Sequence, residues 1–593
     1  MTGAHRRRAP GPAARLLAVA LLLAGCGPTV EPITSFAPSP TRPPATAIPS
    51  TGRFVKTAYP ADGEAPCGQA AAPDAAHAAY SGNLRRISAT DALTVVFELC
   101  QPDVAFRAKV AAPAFAINDA AWLRTHIDPA TSGPQAIVRE VNGTGPYRLE
   151  SWDLGSEVSF ARNDGYWGDA ARNERAIVRW LADPAGRLAE LQNATVDGAD
   201  QLSTAGIASV TDDVGLALGN RPGLDVFYVG FNNTFSPFGD ERVRRAVAMG
   251  IDRKHIVESF FPPGSEVASS FTPCAIPHGC AGAPWYEYDP LLAKELLTTA
   301  GYPDGFDTKI HYREASTSYL PDSTAVATEL KAELLANLGI RADLVTEPEG
   351  TFVGDVYAGK LDGIHLRGQE ATFPDVTEFL DPNVGPGASA EFGKPFSDIG
   401  KALVSGRATV DDGKREVSYA KANNAIRTHI PMIPVARIAT AAAFRADVTG
   451  AAASPLHLER FASMMPGDRR QFVWLTTAEP AGLYCADETD PVSSLVCAQM
   501  MEGLYAYDPS GASTVPALAQ RCDPNPELTV WTCKLRKGVT FHDGSVLDAN
   551  DVVLSFAVQW DAEHPLHRGR DGTFRTFASW FGGFLNAPAV PGG

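Results

Sequence analysis

The chain has no extended basic block, no metal-ligand spacing and, beyond its first two dozen residues, no long apolar run. With 68 acidic against 51 basic residues its formal net charge at pH 7 is −17. Nothing in it can release the counterions of a phosphate backbone, so nucleic acid is excluded as a partner. The same balance argues against direct binding to anionic lipid. The signatures of an activated nucleophile or a zinc-bound water are missing: there is no G-x-S-x-G, no H-E-x-x-H and no C-x-x-C. His255, His278, His365 and His429 are scattered among helix, loop and strand signals, which leaves no metal site, disfavours a nickel chelate as ligand and implies no cofactor. An extracytoplasmic hydrolase therefore lacks its chemistry, and the chain reads as a non-enzyme.

What is present is ample material for a core. The 593 residues are 45% hydrophobic and 20% charged, enough for two or more domains. Arg6, Arg7, Arg8 and Arg15 precede an apolar run at 16–23, too short for a permanent span and laid out like an export signal. It ends in Leu23-Ala24-Gly25-Cys26, which resembles a bacterial lipobox and implies cleavage before Cys26 with a diacylglycerol on its thiol. Residues 27–52, rich in Pro, Thr, Ser and Ala, cannot bury a core and are expected to form an extended tether. The other eight cysteines suit an oxidising compartment. Four local disulfides are the simplest arrangement: Cys67 with Cys100, Cys274 with Cys280, Cys485 with Cys497 and Cys522 with Cys533. Eight cysteines leave many other pairings open.

The most informative stretch lies near the end of the chain, at 471–556. A strand at 472–476 breaks at Ala478-Glu479-Pro480, where proline cannot continue a central ladder and the sheet is expected to meet a cleft. MEGLYAYDPSG (501–511), PALAQ (516–520), a strand at 529–535 and RKGVTFHDGSVLDANDVVLSF (536–556) follow. This order of motifs resembles the N-terminal third of the peptide/nickel class of extracytoplasmic solute-binding proteins, the receptors of ABC importers. VNGTGPYRLESW (141–152), ARNDGYWGD (161–169), FYVGFNN with PFGDERVRRAVAMGIDRKHIV (227–257) and YDPLLAKELLTTAGYPDG (288–305) resemble the later blocks of that family, yet here they come first. The resemblance implies an α/β, two-lobe, periplasmic-binding-protein-like (type II) fold with an extra small subdomain, circularly permuted, the old ends being joined through 461–470. Two truncated tandem receptors are the alternative. The expected division is a signal peptide at 1–26, a tether at 27–52, a small subdomain from 53–137 plus 498–593, a first lobe from 138–232 plus 440–497, and a second lobe at 233–439.

Local signals fill in this frame. Strands are expected at 84–89 and 93–99, packed beside the far end of the chain, and at 147–152. Asp183-Pro184 and Asp289-Pro290 open helices; Gly301 lies just beyond the end of the second of these, and Gly339 stops another, at 325–338, whose Val326, Leu330, Leu334 and Leu338 form one apolar stripe. Short strands at 309–313, 341–346 and 363–366 alternate with helices, as in a second α/β lobe. Residues 227–231 and 428–437 are expected to cross between lobes, with a hinge at Asn232-Asn233. His542, in FHDG, is read as part of a turn.

A receptor of this kind closes its cleft when ligand contacts both lobes. From the first lobe the candidates are Thr477, Ala478, Glu479 and Tyr484, with Tyr228 and Asn232 on the crossing strand. From the second they lie in the loop RGQEATFPDVTEFLD (367–381): Arg367, Gln369, Glu370, Thr372, Phe373 and Asp375. In many members of the family this loop carries a tryptophan and then an aspartate that pairs with the ligand amine. Here Gln369 and Thr372 stand in those places, so amine capture of the usual kind requires Glu370 or Asp375 instead, while Arg367 suits a carboxylate or phosphate. The reading is a monomeric, lipid-anchored receptor at the outer face of the bacterial cytoplasmic membrane, binding a peptide or similar small solute for ABC permease subunits. A solute sensor without transport is the alternative.

Overall fold

The computed structural model describes residues 54–69, 77–127, 136–313, 317–509 and 511–589. The signal, lipobox and tether read at 1–52, including Cys26, lie outside them. The described strands form one 11-stranded mixed sheet, one 5-stranded sheet and two small two-stranded pairs. Across the large sheet the order is Arg341–Thr346, Asp307–Tyr312, Ile364–Gln369, Leu216–Phe231, Met432–Arg445, Gly198–Ala199, Gln471–Thr476, Arg175–Trp180, Glu157–Arg162 and Tyr147–Asp153. Glu266–Val267 pairs alongside Met432–Arg445.

Two long antiparallel strands carry the sheet from one half to the other. Ala217 to Arg221 of the first crossing strand lie opposite Thr440 to Phe444 of the second, next to Gly198–Ala199. Val226 to Gly230 lie opposite Met432 to Arg437, and this part also pairs with Ile364–Gln369. The register shifts between Ile438 and Thr440, opposite Pro222 to Leu224. Pro222 has no N–H to give a ladder, and a Cβ on Gly223 would stand 2.7 Å from the Ile438 carbonyl oxygen, so only glycine allows the two backbones this close. This interruption lies at 222–224 and 438–440, upstream of Asn232-Asn233, where the hinge was expected. Asn232 is buried and donates to Gly359 O (2.8 Å), and Asn233 N–H donates to Phe392 O (3.2 Å), which fixes both within one half.

Segments far apart in sequence complete single sheets, as the motif order led us to expect. Gln471–Thr476 is an inner strand, parallel to both Arg175–Trp180 and Gly198–Ala199. Val530–Leu535 pairs with Thr94–Leu99 in the 5-stranded sheet, whose order is Ala58–Tyr59, Leu84–Asp91, Thr94–Leu99, Val530–Leu535 and Ala519–Pro524. The four local disulfides are all formed: Cys67–Cys100, Cys274–Cys280, Cys485–Cys497 and Cys522–Cys533.

Helix boundaries have local chemical causes. Asp183 accepts from Ala185 and Gly186 N–H ahead of Pro184–Gln192, and Asp289 from Leu292 N–H ahead of Pro290–Thr299. Ser323–Leu338 ends on Gly339 in the left-handed region (φ 70°) and buries Val326, Leu330, Leu334 and Leu338, each worth about 2 kcal/mol of apolar transfer. Thr428 and His429, expected in the second crossing segment, instead finish the helix Asp412–His429. Ile430 ends it in a left-handed conformation before Pro431, and the strand starts at Met432. One large core packs against the half of the sheet that holds Val226 to Phe231. A second surrounds the 5-stranded sheet with Phe97, Trp531, Phe556 and Trp560, and two smaller ones flank Gln471–Thr476.

Candidate ligand cleft

Where the crossing strands lose their register, a cleft of about 660 Å³ opens. Pro222, Leu224 and Asp225 of the first strand and Ile438 and Thr440 of the second border it. Glu370, Ala371 and Thr372 come from one side. Glu488, Thr489, Pro491, Ser494, Tyr507 and the helix Arg575–Phe581 come from another.

Beneath this cleft lies a buried ionic group. The Arg221 guanidinium donates to Asp200 Oδ1 (2.8 Å) and to Glu459 Oε1 (2.6 and 3.1 Å), all three side chains being almost fully out of solvent. Both carboxylates hold the guanidinium pKa above its usual range, though burial opposes them. The cation in turn outweighs burial at Asp200, whose pKa is depressed, while burial prevails at Glu459 and raises it. His457, in a left-handed conformation (φ 58°), lines the cleft and places Nδ1 3.4 Å from Asp200 Oδ2.

The opposite wall is organised by one carboxylate. Asp487 accepts four backbone N–H groups, those of Asp571 and Gly572 on Oδ2 (both 2.7 Å) and of Thr573 and Phe574 on Oδ1 (2.9 and 3.0 Å). That turn aims Arg575, Thr576 and Trp580 at the cleft. Beside it Glu488 is paired with Arg570 (3.0 Å), and burial still lifts its carboxyl to about 7. Trp580 meets Phe373 edge to face at 5.1 Å, and Lys109 lies 5.7 Å above the Phe373 ring. This contact joins the 370–373 loop to the segments around the 5-stranded sheet.

Of the residues singled out from sequence, Glu370 and Thr372 line the cleft. Glu370 is exposed and accepts from Ser318 Oγ (2.7 Å), while Thr372 N–H donates to Glu378 (2.8 Å). Most of the others make contacts inside the protein. Glu479, expected at the rim, accepts from Trp152 Nε1 (2.9 Å) and Gly155 N–H (3.2 Å), holding the turn between Tyr147–Asp153 and Glu157–Arg162. It lies outside the cleft lining, as do Thr477, Ala478 and Tyr484; the Tyr484 ring is buried against Phe574. Tyr228 is fully buried and donates to Glu391 (2.7 Å), which also binds Arg367 (2.6 Å) and His365 (3.0 Å). Arg367 lines a smaller hollow of about 360 Å³, where it lies over the Tyr357 ring. Gln369 donates to Glu378 O (2.7 Å) and accepts from Asn383. Asp375 caps Val376–Val384 and pairs with Arg415 (2.9 Å). Phe373 is buried against Trp580, Ala105 and Ala108, and Asn232 binds Gly359 as described above. His542 is buried in its turn: Nδ1 accepts from Gly143 N–H and Nε2 donates to Gly145 O, both at 3.2 Å. Burial lowers its pKa to about 4.

Asp225, His457 and Arg575 went unnoticed in the sequence because each sits in a separate segment without a motif. Asp225 is half-buried and accepts from Ala371 N–H (3.3 Å). Burial raises its pKa, and the Glu370 charge adds to the rise. Among the described residues no three His, Cys, Asp or Glu side chains converge to hold a metal, and no helix is long and apolar enough to cross a membrane.

A family model described as Bacterial extracellular solute-binding proteins, family 5 Middle, matches residues 58–391 and 513–574. The Dipeptide-binding protein of Escherichia coli (strain K12) is 25% identical over 385 residues, 64% of this chain and 71% of the relative. Heme-binding protein A of Haemophilus influenzae is 25% identical over 383 residues, 64% of this chain and 69% of the relative. The solved structure of HbpA2 from Haemophilus parasuis superposes with a TM-score of 0.60 at 25% identity, covering 63% of this chain and 74% of that one.

Proposed function

Because the chain belongs to the bacterial extracellular solute-binding proteins, family 5, we propose that it is a lipid-anchored extracytoplasmic receptor that takes a peptide or similarly sized solute into this cleft for an ABC importer. The fold is the mixed α/β fold of type II periplasmic binding proteins. The observation that carries the reading is the cleft's position. It opens where both crossing strands break register and is walled by the 370–372 loop on one side and the Arg575–Phe581 helix on another. Closure around a solute would then bring two walls together, and the solute's contacts with both favour the closed state. A volume of about 660 Å³ suits a ligand of a few residues. A relative named as a dipeptide-binding protein supports a peptide, with main-chain hydrogen bonds supplying much of the affinity.

The anchor rests on Leu23-Ala24-Gly25-Cys26 and the preceding arginines and apolar run. We read the motif order as a circular permutation of the family fold, with lobes divided near the crossing at 222–224 and 438–440. The parallel pairing of Gln471–Thr476 with Arg175–Trp180 and the two separate segments of the family match support this. Within the cleft, Glu370 and Thr372 are the residues we carry forward from the sequence as ligand contacts. Mass spectrometry of the solute retained by the protein on isolation tests the proposal. A mixture of short peptides is expected. A single defined non-peptide solute redirects the reading, and recovery without any permease or ATPase partner favours a sensor.

A further inference from the structure

One ring on the floor of the cleft is held where its residue type is strained. His457 lines the cleft with its backbone in the left-handed region (φ 58°), which glycine adopts freely and a side chain does not. Its surroundings hold it there. Ser454 N–H donates to Glu459 Oε1 (3.1 Å) and His457 N–H to Ser454 O (3.0 Å), so the 454–459 turn is closed on the carboxylate that Arg221 also binds.

The imidazole is fastened to the same buried group through Asp200. Burial raises the Asp200 carboxyl and the Arg221 cation lowers it by more, so it stays ionised and can only accept. Its Oδ1 is taken by Arg221 (2.8 Å) and by the N–H of Gln201 (2.7 Å), and its Oδ2 faces His457 Nδ1 at 3.4 Å. Nδ1 is therefore the donor, and in the neutral ring the lone pair is left on Nε2. Nε2 has no partner among the described residues, and the side chain, 32% exposed, opens to the cleft beside Pro222, Leu224 and Leu456. Closing the cleft on a dry acceptor among apolar groups is unfavourable unless the occupant brings a donor. Backbone strain kept at the edge of an open site, with one ring nitrogen committed and the other unused, marks a residue held for contact with what enters.

We propose that His457 contacts the solute directly, Nε2 accepting one amide N–H of the bound peptide, and that Asp200 is the positioning residue that sets this tautomer. This rests on the receptor reading above and adds to it a residue that selects the ligand by a hydrogen bond.

Calorimetric titration with trialanine and with its analogues methylated on the second or the third backbone nitrogen tests the contact. In the wild type one of the two methyl groups is expected to weaken binding by about tenfold. In H457F, which keeps a ring without nitrogens, and in H457G that methyl group should cost no more than about twofold. H457G, freed of the left-handed strain, should melt no lower than the wild type. Nitrogen NMR of labelled histidine in mildly alkaline buffer, with H457F identifying the signal, should show Nδ1 protonated and Nε2 bare, and mixed tautomers in D200N. Sensitivity to methylation that persists in both variants, or that is missing from the wild type, overturns the hydrogen-bond assignment and leaves the receptor reading standing. So does a lower melting temperature in both variants with peptide discrimination unchanged, which marks His457 as structural. A protonated Nε2 in the wild type, or a tautomer unmoved in D200N, overturns the part given to Asp200. Failure of every peptide to bind overturns the peptide-receptor reading, and this inference with it.

Discussion

Lowering the pH should destabilise this protein through one buried imidazole, by an amount that the structure sets. His542 joins the 541–544 turn to the 142–145 loop, which lies about 400 positions earlier in sequence. Its Nδ1 accepts from Gly143 N–H and its Nε2 donates to Gly145 O, so it must stay neutral to keep both bonds. Burial lowers its pKa from 6.5 to about 4. A base whose folded pKa is depressed contributes nothing adverse above pH 6.5, where both states are neutral. It costs stability progressively as pH falls, because the unfolded chain binds the proton first. The cost works out at about 1 kcal/mol at pH 5.5 and about 3 kcal/mol at pH 4. Buried carboxyls push the other way. Asp551, Glu378 and Glu333 are each raised to about 7, so each stabilises the fold as it takes up its proton on acidification. The total pH profile therefore mixes both signs, and only a comparison isolates the histidine. Urea denaturation of the wild type and of His542→Asn at pH 7, 5.5 and 4 makes it. The wild type's advantage over the variant should shrink by about 3 kcal/mol from pH 7 to pH 4. Parallel profiles would falsify the claim that this neutral imidazole clamps the two segments.

Two further substitutions probe the walls of the cleft. Asp487→Ala leaves four backbone N–H groups of the 571–574 turn without their acceptor. It should cost about 3 kcal/mol and speed hydrogen exchange at Gly572 to Phe574; unchanged protection there refutes the role given to Asp487. Arg221→Met leaves Asp200 and Glu459 buried together without a cation and should cost about 3–5 kcal/mol at pH 7. The loss should be smaller at pH 5, where the orphaned carboxyls can take up a proton. A variant as stable as the wild type at neutral pH would show that Arg221 is not needed to hold the two buried carboxylates.

Helix starts were legible in the sequence because their causes are local: Asp183, Asp289 and Gly339 act within a few residues of themselves. The pairing of Gln471–Thr476 with segments about 300 positions away was legible for a different reason, the resemblance of these distant segments to blocks of one family. The first half of the crossing strand Leu216–Phe231 was not, since Gly219, Asn220, Pro222 and Gly223 look like a turn. They are tolerated because an interruption is what the crossing requires. The cleft was legible only in part. Gln369 and Asp375 lie in the expected loop, but a loop must first hold its own shape, and their side chains are spent on Glu378 O, Thr377 N–H and Arg415. Asp225 and Arg575, 350 positions apart, come together only through the fold.

Small-angle X-ray scattering of solute-stripped protein, before and after adding the peptide it retains on isolation, addresses the two-walled cleft most directly. The account predicts a smaller radius of gyration when the solute binds, because the 370–372 loop and the Arg575–Phe581 helix close on it from different sides. Saturating binding with an unchanged radius would contradict it.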